Sequence, residues 1–135
     1  MKKSLVKALF ALLLLLSSVA HASGGDGGGG AAGGALYAKL GTFTVNLQDI
    51  SEVLQTDISV KLPNPQVLDT IKMYLPFVKH ELILLLSSQN AQEISTVAGK
   101  QKLIKETKTA VNKALHVDPK DGVSDVLFES FVIQQ

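Results

Sequence analysis

The side chains with the best claim to chemistry are few: His80 with Glu81, the pair Ser87 and Ser88, Gly99 followed by Lys100, and His116. Metal ligation needs His, Cys or carboxylates gathered at fixed spacings, yet cysteine is absent and the only histidines are His21, His80 and His116. Adjacent His80 and Glu81 leave a helix in different directions and do not share an ion. A hydrolytic pairing of His80 with Ser87 or Ser88 fails on reach, because seven or eight helical residues span about 10 to 12 Å where proton transfer needs about 3 Å. His116 would have to be brought in by folding, and no spacing points that way. Ser87 and Ser88 read better as polar residues closing a helix. Gly99 and Lys100 look like the end of a phosphate-binding loop, but Ile94 stands where its first glycine belongs and Gln101 where its Ser or Thr belongs. Asp69, Glu81, Glu93 and Glu106 are scattered carboxylates. Lys100, Lys102, Lys105, Lys108 and Lys113 scatter round one helix, as a solvated face or as a surface for an anionic partner or lipid. No catalytic, cofactor-binding or metal-binding residue is assigned.

The elements that would have to position any such group are clear in the hydrophobic pattern. Phe43, Val45 and Leu47 alternate with Thr42, Thr44, Asn46 and Gln48, and Leu54, Thr56, Ile58, Val60 and Leu62 alternate in turn with Gln55, Asp57, Ser59 and Lys61. These are two strands, and the short segment from Asp49 to Val53 pairs them as a hairpin. Pro63, Asn64 and Pro65 end the second strand and offer a cap and a first-turn proline to a long helix from Gln66 to Ser88. Leu68, Ile71, Leu75, Val78, Leu82 and Leu85 recur three and four apart and form its buried stripe. Pro76 either kinks this helix or starts a second one close-coupled to it. A further helix runs from about Thr96, a plausible cap, to Leu115, with Leu103, Ile104, Thr107, Ala110 and Val111 among its inward residues. The segment Val123 to Ile133 reads as a last strand, apolar on both faces. It is then either a central strand covered on both sides or one whose second face, with Leu127, Phe131 and Ile133, is kept for a neighbouring subunit. The fold class is α+β, a small sheet of about three or more strands packed by two helices.

Before these elements come Lys2, Lys3 and Lys7, an apolar run from Ala8 to Leu16, and a small-residue tail with Ala20 and Ala22. That order is the order of a secretory signal peptide over 1–22, cut between Ala22 and Ser23, since an uncleaved anchor needs about 20 apolar residues. Residues 23–35 hold eight glycines and make a flexible leash, leaving 36–135 as one domain of ordinary size. Taking the three leader lysines from the 13 basic residues leaves ten against 12 acids, a formal −2 for the exported chain. Every base is lysine, so the bidentate arginine fork that favours base-edge and phosphate recognition is missing and nucleic acid is not an expected partner.

The residues themselves carry a resemblance. Leu40 to Leu47, the helix Val78 to Ser88 ending in Ile83, Leu84, Leu85, Leu86, Ser87 and Ser88, the segment Ile94 to Leu103, and the closing Val126 to Gln134 resemble the periplasmic domain of the FliL family, the flagellar basal body associated proteins. The likeness runs from Leu36 to the C-terminus. It implies a stomatin-like (SPFH-like), non-enzymatic domain without a cofactor, in the periplasm at the inner membrane. It further implies ring-like homo-oligomers at flagellar stator proteins, supporting torque, motility and chemotaxis. Family members usually keep a transmembrane helix where this chain has a short apolar segment and an Ala-x-Ala site. Two other functions remain to be weighed: a soluble periplasmic binding module for a peptide or lipid, and a hydrolase pairing Ser87, Ser88 or Thr96 with a histidine.

Overall fold

The computed structural model describes residues 35–135; the signal segment, its Ala22/Ser23 junction and nearly all of the glycine-rich linker lie outside the described residues. Strand β1 (Leu36–Asn46) and strand β2 (Val53–Leu62) pair antiparallel as a hairpin. Its turn is held locally, with Asp49 Oδ1 accepting from the Ser51 amide and Asn46 Nδ2 donating to the Ile50 carbonyl. Helix α1 (Gln66–Ser87) follows, then a single turn α2 (Ala91–Ile94), helix α3 (Val97–Ala114) and strand β3 (Asp125–Gln134). The strand order is β1-β2-β3, so β2 is central and β3 pairs antiparallel on its other side. Helix α1 lies mainly on β1 and α3 on β3, which puts both long helices on one face of the sheet. The architecture is the expected α+β one.

Local chemistry explains the element ends. Asn64 Oδ1 accepts from the Val67 amide, with Pro65 in the first turn, where its missing N–H leaves nothing unsatisfied. Helix α1 then runs unbroken through Pro76, which lies on the solvent side, where the Lys72 carbonyl it cannot serve is free to meet water. At the other end Ser88 Oγ donates to the Leu85 carbonyl. Asn90 caps α2 by accepting from the Gln92 and Glu93 amides, and Thr96 Oγ1 caps α3 by accepting from the Gly99 amide at 2.9 Å.

The core lies between sheet and helices. Val67, Ile71, Val78, Leu82 and Leu86 are the buried positions of α1, with Leu68, Leu75 and Leu85 on the flanks of the stripe. They meet Leu54, Ile58 and Val60 of β2 and Leu103 and Val111 of α3. The fully buried Thr107 hydroxyl in α3 has no hydrogen-bond partner. An unmade bond of that kind costs about 1 to 3 kcal/mol. Thr107→Val keeps the shape and removes the orphaned group, so it is expected to raise stability by about 1 kcal/mol and the melting temperature by roughly 4 to 8 °C. A lower melting temperature would show that the hydroxyl is satisfied after all.

Both outer strands are bulged opposite the same part of β2. In β1 the register steps over Leu40, from Lys39 opposite Ser59 to Gly41 opposite Ile58, and Gly41 takes a φ of +105° that residues with a Cβ rarely adopt. In β3 it steps over Glu129, from Phe128 opposite Ile58 to Ser130 opposite Asp57. The second bulge changes the faces of the strand. Val126, Phe128, Phe131 and Ile133 all pair with the buried positions of β2, while Leu127, Ser130 and Val132 point away from the helices. The buried Thr56 hydroxyl donates to the Ser130 carbonyl at that irregularity.

Candidate interaction surface

The groups considered for chemistry are not assembled. His80 is exposed on the solvent side of α1, while His116 sits past the end of α3 at a φ of 56° with its ring edge-on to Tyr74 at 5.4 Å. Ser88 Oγ is engaged by the helix end and Thr96 Oγ1 by its cap, where it also donates to the Glu93 carbonyl. Among the described residues no group of three or more His, Cys, Asp or Glu side chains is placed to hold an ion. Gly99 has a packing role: a Cβ there would lie 1.8 Å from the Glu93 carbonyl oxygen.

What the molecule offers is surface. Strand β3 is an edge strand, which corrects the expectation of a central strand covered on both faces; its two-sided apolar pattern arises because the Glu129 bulge puts four apolar residues on the helix side and leaves two outside. Of the trio expected at an interface, Leu127 is exposed on the open face. Phe131 and Ile133 are half-buried against the core, and the Lys100 ammonium lies 5.4 Å from the centre of the Phe131 ring. The open face gains Val132 in their place, because the bulge moves it off the side that strict alternation from Val126 and Phe128 predicts. Two adjacent polar residues, Glu129 and Ser130, inside an apolar run were the sequence signal for this bulge. Helix α1 also exposes Met73, Phe77 and Leu84, outside the stripe that the sequence marked.

A polar row crosses the open face. Asp57 of the central strand accepts from Thr42 Oγ1 of β1 and Ser130 Oγ of β3, and beside it Ser59 Oγ donates to Glu129. The bonds from Thr42 and then Ser130, with the charge of Lys39 adding, hold the Asp57 carboxyl below the usual carboxylate range. A carboxyl with a lowered folded-state pKa adds stability at pH above its unfolded value, about 3.9, and loses it as pH falls through the folded value. The urea midpoint is therefore expected to fall on acidification below about pH 4, and less so in Asp57→Asn. Equal acid sensitivity of the two proteins would remove Asp57 from the account.

Among the described residues the sheet and helices thus form a frame with two unpaired strand edges and one sheet face that neither long helix covers. The sequence model of the family described as flagellar basal body-associated protein FliL matches residues 37–134, from the first strand to the last. This chain belongs to the FliL family. Flagellar protein FliL of Escherichia coli (strain K12) is 38% identical over 100 residues, 73% of this chain and 65% of that protein. Flagellar protein FliL of Shigella flexneri matches to the same extent. Flagellar protein FliL of Aquifex aeolicus (strain VF5) is 33% identical over 103 residues, 75% of this chain and 62% of that protein. The chain thus spans less than two thirds of the length of these FliL relatives. The FliL match coincides with the described elements, so the likeness is carried by the sheet and the two long helices. Among the described residues no helix is long and apolar enough to cross a membrane.

Proposed function

We propose that this protein is an exported, non-enzymatic accessory protein of the flagellar motor. In this reading the signal over 1–22 is removed between Ala22 and Ser23, and the leash 23–35 frees a domain that works in the periplasm at the inner membrane. The domain associates with itself in a ring beside the stator units of the basal body and supports torque, motility and chemotaxis. The observation that carries the proposal is membership of the FliL family over residues 37–134. Two edge strands and an open sheet face with Leu127 and Val132 exposed support self-assembly, since unpaired strand edges are templates for other strands. A carrier of a small lipid would need an enclosed apolar cavity, whereas the depressions among the described residues are open grooves edged by charged side chains.

Self-association is tested by sedimentation of the purified protein against Leu127→Asp and Val132→Asp. Both residues face away from the core, so the variants are expected to keep the wild-type melting temperature within a few degrees while association weakens by about tenfold or more. A wild-type protein that stays monomeric at every concentration reached would contradict the assembly proposed here.

A further inference from the structure

Two patches at opposite ends of the domain complement each other. At one end the hairpin turns through Asp49, Ile50, Ser51 and Glu52, and Ile50 is 82% exposed, the barest large apolar side chain among the described residues. Local bonds set the turn. The Glu52 amide donates to the Asp49 carbonyl at 3.0 Å, the Ser51 amide and hydroxyl both donate to Asp49 Oδ1, and the Gln48 amide ties the hairpin to the Gln89 carbonyl behind α1. The turn carries two acids and no base. Glu52 accepts from the Gln135 side-chain amide, while the lysines at the near end of α3 are turned elsewhere, Lys100 to the Ser95 carbonyl and the Phe131 ring and Lys102 to Glu106. At the other end a depression of about 520 Å³ opens beside the last turns of α3, with Val117 and Pro119 as its apolar part and Lys105, Lys108 and Lys113 around it. Asn112 fixes its wall, its side chain accepting from the Val123 amide at 2.8 Å and donating to the Val123 carbonyl. No acid lines this depression. Of the acids nearby, Glu106 is held by Lys102, Asp125 lines a neighbouring depression, and Asp118 accepts from the Lys120 amide within its own turn. Among the described residues Lys105, Lys108 and Lys113 therefore have no carboxylate within 4.0 Å.

We infer that the hairpin tip of one copy docks into this depression on the next copy. Ile50 covers Val117 and Pro119, and Asp49 and Glu52 meet the α3 lysines at the rim. The spacings agree, since the ends of a four-residue turn lie within about 7 Å, while Lys105 to Lys108 and Lys108 to Lys113 rise about 4.5 and 7.5 Å along the helix. A second copy is the occupant because this chain carries both halves of the contact and cannot bring them together within one molecule. The tip lies beyond Asn46 and Val53, whereas the loop that walls the depression rejoins the sheet at Lys61 and Asp125, about 27 Å along β2. A contact between unlike surfaces at opposite ends propagates head to tail, and it closes into a ring or runs on as a filament according to the rotation between copies. The inference rests on the reading of the domain as self-associating and adds the two surfaces and the polarity of that association.

The test is sedimentation of the purified protein, with Ile50→Lys altering the tip and Lys108→Glu/Lys113→Glu altering the depression. None of these side chains is buried, so circular dichroism and melting are expected to stay close to those of the wild type. Each variant alone is expected to self-associate about tenfold more weakly or worse, and wild-type association is expected to weaken as salt is added. An equimolar mixture of the two variants is expected to regain most of the wild-type association, because the intact tip of one meets the intact depression of the other. Misfolded variants would not rescue each other. Undiminished association by either variant, or a mixture no stronger than its separate components, would overturn the inference. If Leu127→Asp or Val132→Asp weakens association in the same series, those outcomes remove the tip contact and leave assembly through the open sheet face. A wild-type protein that stays monomeric at every concentration reached removes both.

Discussion

Gly99→Ala is expected to destabilise the domain by about 3 kcal/mol and to lower its melting temperature by roughly 15 °C. Gly99 lies in the first turn of α3, where helix propensity alone predicts the opposite sign, a gain of about 1 kcal/mol from replacing glycine with alanine. Packing decides against propensity. The added Cβ would lie 1.8 Å from the carbonyl oxygen and 2.6 Å from the carbonyl carbon of Glu93, and 3.0 Å from Thr96 Oγ1. The first two are backbone atoms, so no rotamer change relieves the contact and the turn between α2 and α3 has to move. That same turn holds the α3 cap, in which Thr96 Oγ1 accepts from the Gly99 amide. Thermal and urea unfolding of the two proteins measure the difference, and a melting temperature equal to or above that of the wild type would mean that α2 does not pack on α3 as described.

Leu82→Ala is expected to cost about 3 to 4 kcal/mol, whereas Leu84→Ala, two residues along the same helix, costs about 0.5 kcal/mol or less. Leu82 is fully buried between sheet and helices while Leu84 is more than half exposed. Truncating the first removes transfer energy and leaves a cavity in a close-packed interior; truncating the second removes surface already in water. Similar costs for the two would place the run from Leu82 to Leu86 differently on the sheet.

Much of this frame could be read in the chain. Period-two alternation marked both hairpin strands, and the three-and-four spacing from Leu68 to Leu85 located the buried face of α1 to within one residue of its true centre at Val67, Ile71, Val78, Leu82 and Leu86. Thr96 was legible as a cap because a hydroxyl before a helical pattern has one obvious use. The bulges were harder. An inserted residue changes which side chains share a face without changing composition, so simple alternation groups Phe131 and Ile133 with Leu127, whereas in the fold Val132 joins it. The short helix α2 has no counterpart among the elements expected from the sequence, because four residues carry too little periodicity to register, although Asn90 followed three residues later by Glu93 is a capping pattern. The exposed stripe of Met73, Phe77 and Leu84 was hidden by the stronger one beside it. The surface was the least legible part, since an exposed leucine and a buried one are the same letter until the neighbours are in place.

A chromosomal deletion of this gene, scored for swimming and swarming alongside growth rate, tests the central claim most directly. The account predicts motile spread that is reduced and restored by the wild-type gene, at an unchanged growth rate. Swimming and swarming indistinguishable from the parent strain would contradict it.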